Sequence, residues 1–317
     1  MSAPSRRAPP PEPSRTLPAL PLDRRLTHGS ADLYAGHWPS AESRGPAFLC
    51  VHGLAGSHLN WSLLAPKLST LGPVWAPDLL GFGRSGLGGR RADLAGHLAL
   101  LREWLAQLRA DRRVVVIGNS MGGYLALKLA AEAKTEVAAL VLINPALPLP
   151  SSVPSHGDVL SSFLLMMLPW VGERYLSRRD ATHTAAELTA ELLVLCAADS
   201  SQLDASMIEA HILLARERGG LPEGRKAMLQ STRSLLLELF RDAPRFERTL
   251  AKVRAKTLLL HGSRDRLVPV AAARALARLR PQWPFKVYPG LGHIPMLEAP
   301  QAVFENIAAF CQTAGVL

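Results

Sequence analysis

Several features that announce a class of protein are scarce or missing in this chain. It has three cysteines in 317 residues, Cys50, Cys196 and Cys311. They are scattered and odd in number, so a reducing compartment is expected and a disulfide framework is not. No cysteine pair has zinc spacing and no His-Glu-x-x-His occurs, so neither a metal site nor another cofactor is expected. No apolar run approaches the roughly 20 residues of a spanning helix. The start, Met-Ser-Ala-Pro-Ser-Arg-Arg-Ala-Pro-Pro, lacks the apolar stretch of a signal peptide, which makes the cytoplasm the expected location. Aromatic residues make up only 6% of the chain and do not interleave with the basic ones. The net charge of +10 comes mostly from dispersed arginines, so it predicts no nucleic-acid surface.

Hydrophobic residues, by contrast, reach 48%, enough for one large core or a core with a lid. Residues 1–18 are proline-rich and are expected to be disordered. Arg24–Thr27 and Ala31–His37 read as a hairpin turning at His28-Gly29-Ser30. Parallel strands alternating with helices then begin at Ala47, and the helices are predicted at Trp61–Leu71, Leu94–Arg109, Tyr124–Ala133, Ala271–Leu279 and Gln301–Cys311. They must pack on both faces of a mostly parallel sheet. The alternation breaks between Leu142 and Lys256, where four prolines lead into a helical stretch clearest at Ala185–Ala198 and Ser206–Glu217.

Residues 114–123, Val-Val-Val-Ile-Gly-Asn-Ser-Met-Gly-Gly, hold the most specific pattern. A four-residue β-branched run, the mark of a strand buried on both faces, enters Gly-x-Ser-x-Gly and then a helix. A serine at such a turn is presented at the mouth of the sheet; a helix N-cap is the bland alternative. A serine hydroxyl needs a base, and the base needs an orienting acid. Asp265 follows the apolar run Thr257–Leu260, and His293 follows the strand-like Phe285–Tyr288, which completes the order Ser120, Asp265, His293. Phe48–Val51 is another buried strand ending in His52-Gly53-Leu54-Ala55-Gly56, so the backbone N–H groups of Leu54 and Met121 are the expected oxyanion donors.

Other readings of these residues are weaker. Gly81–Gly86 fits Gly-x-Gly-x-x-Gly, but Leu87-Gly88-Gly89-Arg90 prolongs the loop where a dinucleotide site needs a helix. Asp78 precedes Ser120, against the required order, and is expected to fix its loop by hydrogen bonding. His52 reads as a structural hydrogen-bonder and His261 as a strand terminus. His58, His97, His156, His183 and His211 show no partner spacing and default to surface or packing roles. An acid after Leu140–Ile143 could replace Asp265, but that position carries Asn144-Pro145, which supplies no carboxylate.

Five segments together resemble the α/β-hydrolase family, in particular its cap-bearing, esterase-like members. They are His52–Trp61 (HGLAGSHLNW), Pro77–Ser85 (PDLLGFGRS), Gly118–Gly123 (GNSMGG), His261–Pro269 (HGSRDRLVP) and Gly292–Pro300 (GHIPMLEAP). The resemblance implies an α/β-hydrolase core over 19–145 and 250–317 with a helical cap over 146–249. The implied activity is a Ser-His-Asp hydrolase acting on small carboxylic esters of short-to-medium acyl chains. Val159–Trp170 is the most apolar part of the cap, either its packing face or an acyl-pocket wall, with Phe163, Met166 and Trp170 the candidate wall residues. The runner-up is hydrolysis of a carbon–carbon bond in a vinylogous diketone, since relatives with that chemistry share Gly-Asn-Ser-Met-Gly-Gly. Those relatives usually carry Gly-Pro in the oxyanion loop and Trp after the histidine, where this chain has Ala55-Gly56 and Ile294. A non-enzymatic receptor that keeps the triad is the third reading.

Overall fold

The computed structural model describes residues 22–28, 31–42, 44–133, 136–148, 157–219, 222–240 and 243–317. The proline-rich stretch 1–18 and His156 lie outside them. The strands are β1 (Leu22–His28), β2 (Ala31–Trp38), β3 (Ala47–Val51), β4 (Val74–Pro77), β5 (Val114–Asn119), β6 (Val137–Ile143), β7 (Lys256–Gly262) and β8 (Phe285–Tyr288). They form one sheet in the order β1-β2-β4-β3-β5-β6-β7-β8. β1 pairs antiparallel with β2 and β2 antiparallel with β4, and from β4 through β8 every pairing is parallel.

Strand residues alternate between two cores, as side chains pointing to opposite faces must. Leu49, Val51, Val114, Val116, Leu140 and Leu142 enter one core, whereas Phe48, Cys50, Val115, Ile117, Val141 and Ile143 enter the other. Both faces are covered, which is why these strands are apolar without alternation. The first core is closed by α2 (Leu94–Arg109), α3 (Met121–Ala133) and α10 (Val270–Leu279), the second by α1 (Ala65–Leu68) and α12 (Pro300–Ala314). The helix expected over Trp61–Leu71 is broken up instead. A 3-10 turn spans His58–Trp61, and α1 is a single turn with Pro66 inside its first turn, the one place a helix tolerates a residue without an N–H.

Among the described residues six α-helices stand between β6 and β7: α4 (Gly157–Met167), α5 (Val171–Thr182), α6 (Ala185–Cys196), α7 (Ala205–Arg218), α8 (Pro222–Phe240) and α9 (Ala243–Lys252). α9 packs on α3 and stacks Phe246 on Tyr124, with ring centroids 6.4 Å apart. The remaining short helix, α11 (Pro295–Glu298), follows the His293 loop. No helix among the described residues is long and apolar enough to cross a membrane.

Candidate active site

Ser120 sits between β5 and α3 with φ 55°, a left-handed backbone that costs a non-glycine residue about 1–3 kcal/mol. Its surroundings hold it there. A Cβ on Gly118 would lie 2.3 Å from the Gly122 carbonyl oxygen, and one on Gly122 would lie 2.1 Å from that of Val51. The backbones therefore approach too closely for a side chain at either glycine. The Ser120 N–H donates to the carbonyls of Ile143 and Asn144, both at 3.2 Å, and its own carbonyl accepts from Tyr124 and Ala146. The residue is partly open to solvent although β5 is wholly buried.

The loop after β3 runs directly against the serine, since a Cβ on Gly53 would lie 2.9 Å from the Ser120 Cβ. Among the described residues the N–H groups of Leu54 and Met121 donate to no protein acceptor. For Met121 the reason is its place at the start of α3, where N–H groups have no partner within the helix. His52 fixes this loop: its Nδ1 donates to the Gly53 carbonyl at 2.8 Å, and its Nε2 accepts the Leu79 N–H at 2.9 Å. Burial pushes its pKa down to about 4, so it stays neutral and bonded on both nitrogens.

Asp265 and His293 reach the same edge of the sheet from the loops after β7 and β8, and both are buried. The His293 Nδ1 donates to Asp265 Oδ2 at 2.7 Å. The carboxylate also accepts Asn144 Nδ2 on that oxygen at 2.7 Å, and the N–H groups of Leu267 and Val268 on Oδ1 at 2.8 and 2.9 Å. Burial works to raise the Asp265 pKa, but the neighbouring His293 and these donors outweigh it and hold the carboxyl below its usual range. With Nδ1 committed as donor, His293 keeps Nε2 as the nitrogen able to accept a proton. His261 lies 3.5 Å from Asp265 Oδ2 and donates Nε2 to the Val268 carbonyl at 2.8 Å.

Sequence reasoning passed over three groups that fix this pair. Asn144, with φ 44°, donates to Asp265 and to the Gly292 carbonyl (3.1 Å), and accepts the Gly262 N–H (3.3 Å). Its place at the carboxyl end of a parallel strand was the available signal. Asn119 donates to the carbonyls of Ile143 and His293, both at 3.0 Å. The His293 N–H donates to the Cys196 carbonyl at 2.6 Å, which ties the histidine loop to the end of α6. Gly292 permits that contact, because a Cβ there would lie 2.5 Å from the Cys196 oxygen.

Two histidines assigned no partner turn out to be buried and bonded. His58 donates its Nδ1 to Asp78 at 3.0 Å, and Asp78 also accepts the N–H groups of His58 (2.6 Å) and Arg84 (2.8 Å). His97 donates Nε2 to Ser231 Oγ at 2.9 Å, so α2 is bonded to α8. The Gly81–Gly86 stretch folds as consecutive turns with no helix opening from it. Cys50, Cys196 and Cys311 are free and buried, and burial raises all three thiol pKa values. Among the described residues no group of three His, Cys, Asp or Glu is placed to hold a metal.

The three candidate wall residues diverge. Met166 is buried and Phe163 half-buried, but Trp170 is 82% exposed and cannot wall a pocket in this conformation. It stands at the turn between α4 and α5 with φ 64°, where the chain reverses and throws the ring outward.

A family model described as the alpha/beta hydrolase fold matches residues 46–300, from β3 to the start of α12. The chain belongs to the alpha/beta hydrolase fold family. The 2-hydroxy-6-oxo-6-(2'-aminophenyl)hexa-2,4-dienoic acid hydrolase of Metapseudomonas resinovorans is 28% identical over 264 residues, covering 81% of each protein. A candidate lipase of Acinetobacter baumannii AYE superposes with a TM-score of 0.74 at 22% identity, covering 94% of this chain and 93% of its own. A thermophilic esterase of Thermogutta terrifontis gives 0.64 at 21% identity, covering 93% and 99%. At these identities the two solved structures speak for the fold.

Proposed function

We propose that this alpha/beta hydrolase cleaves carboxylic esters of short-to-medium acyl chains through an acyl-enzyme on Ser120. The observation that carries the reading is a serine held at φ 55° on the edge of the sheet to which a 2.7 Å His293–Asp265 pair is also delivered. Ser120 Oγ attacks the ester carbonyl while His293 Nε2 takes its proton, and the N–H groups of Leu54 and Met121 hold the oxyanion. Asp265 keeps the Nδ1–H tautomer and stabilises the imidazolium. His293 then returns the proton to the leaving alcohol, and water repeats the cycle on the acyl-enzyme. The helices between β6 and β7 act as a cap, and their tie to the site runs through the Cys196 carbonyl. Phe163 and Met166 are the apolar cap residues left to limit acyl length, now without Trp170.

Carbon–carbon bond hydrolysis is the second reading, favoured by the Metapseudomonas resinovorans relative. Ala55-Gly56 and Ile294 weigh against it. One experiment separates the possibilities: labelling with a fluorophosphonate, then parallel turnover of p-nitrophenyl esters of increasing acyl length and of a vinylogous diketone. Labelling at Ser120, with kcat/KM rising over the first few carbons and little diketone cleavage, is the expected result. Efficient diketone cleavage without ester turnover favours the second reading, and labelling at a different serine overturns both.

A further inference from the structure

Five of the large apolar side chains exposed among the described residues come from eight consecutive positions: Leu164, Leu165, Leu168, Trp170 and Val171. They form the outer face of α4 and its corner with α5. The sequence of α4 (GDVLSSFLLMM) is apolar on more than one face, a composition normally enclosed on all sides. The corner is also held firmly. Arg233 of α8 donates Nε to the Met166 carbonyl at 3.0 Å and Nη2 to the Leu168 carbonyl at 3.1 Å, and it forks onto Glu173 at 3.0 and 3.2 Å. Trp170 is therefore displayed by a braced turn.

We infer that this corner docks onto a lipid surface bearing anionic headgroups. Two observations choose that occupant. The patch draws its five exposed apolar side chains from eight positions, whereas a stable protein interface engages about 20–30 residues a side. Its charge pattern is that of an interfacial anchor: Trp170 stands at the N-terminal end of α5, and Arg174 and Arg178 follow one turn apart on one face of that helix. Arg174 and Arg178 are exposed and make no ion pair with the described residues. The carboxylates of α5 are already paired, Glu173 with Arg233 and Asp180 with Arg225. An apolar tip with an indole at the boundary and cations behind it enters a headgroup layer, with the arginines left beside the phosphates. The inference goes beyond the proposed reaction and does not rest on it.

The test is flotation of the full chain with phosphatidylcholine vesicles, with and without phosphatidylglycerol, and with brominated acyl chains as a quencher. Of the six tryptophans, Trp170 is the exposed one, so quenching reports on that corner. Binding is expected on phosphatidylglycerol vesicles, weakened by salt, with quenching that disappears in Trp170→Phe while flotation persists. Leu168→Ser combined with Trp170→Ala should abolish flotation. Arg174→Gln and Arg178→Gln should each weaken it about fivefold. These positions are exposed, and unchanged thermal midpoints will show that the variants fold. No flotation, or flotation indifferent to these substitutions, overturns the inference. So does a concentration-dependent dimer in sedimentation that Trp170→Ala abolishes, since a second copy would then be the occupant.

Discussion

Asp78 follows β4 and Asp265 follows β7, so the parallel sheet brings a buried carboxylate to the same edge twice, and each meets a histidine. The surroundings of the two pairs differ. Asp78 spends its oxygens on His58 Nδ1 and on the N–H groups of His58 and Arg84, which closes its own loop onto the neighbouring turn. Arg84 carries the tie outward to Tyr34 and to Glu217 of α7. Asp265 instead serves a histidine whose main chain is pinned at both ends, its N–H by Cys196 and its carbonyl by Asn119, so the ring is aimed and not merely buried. The turn beside that pair holds a serine in left-handed backbone. A buried His–Asp pair is thus an ordinary way to fix a loop, and a strained serine beside it is what makes one a candidate catalyst.

The sharpest way to break this comparison is to remove chemistry from each side. Ser120→Ala should abolish fluorophosphonate labelling and lower turnover by roughly 10⁴-fold or more. Asp265→Asn, which favours the wrong His293 tautomer, should cost on the order of 10⁴ in kcat with the fold retained. Asp78→Asn should do the reverse. It puts an amide N–H against backbone N–H donors and should cost roughly 3–5 kcal/mol in urea unfolding, with turnover of the folded protein nearly unchanged. If Asp78→Asn inactivates while Asp265→Asn does not, the roles are exchanged.

Acid titration reads the buried histidines and the buried carboxylates in separate pH ranges. His52, beside Asp78, has its folded pKa lowered to about 4, so below its unfolded value near 6.5 the unfolded chain binds more protons. Stability should therefore fall as pH drops from about 6.5 toward 4, by about 3 kcal/mol from this group, and His52→Gln should make that limb shallower without removing it, since burial also lowers the pKa values of His97 and His261. Asp78 and Asp265 both have lowered pKa values, so their contribution is lost only below the ordinary aspartate value, about 3.9. Urea midpoints should fall in two steps, one between about pH 6.5 and 4 and one below about pH 3.9.

The smallest effect sharpens the Asp265 side alone. Asn144→Ala removes one donor from Oδ2 and should cost about 1 kcal/mol of transition-state stabilisation, roughly tenfold in kcat with KM little changed. An effect on stability alone would make Asn144 a loop support like Asp78.

The sequence by itself determined a mostly parallel sheet behind a leading hairpin, with helices on both faces, and the candidates Ser120, Asp265 and His293. These follow from local signals: β-branched runs buried on both faces, glycines where backbones approach closely, and polar residues just past strand ends. Tertiary structure decided whatever depends on meetings between distant segments. Asn144 reaches Asp265 across 121 residues, His97 meets Ser231 across 134, and Cys196 pins His293 from the end of α6. The helix expected over Trp61–Leu71 yielded to turns because Pro66 is tolerated only in a first turn. The apolar stretch ending at Trp170 shows the limit most plainly. Composition establishes that α4 is apolar on several faces, but only the packing of α4 and α5 against α8 decides which face is buried and which is left to water.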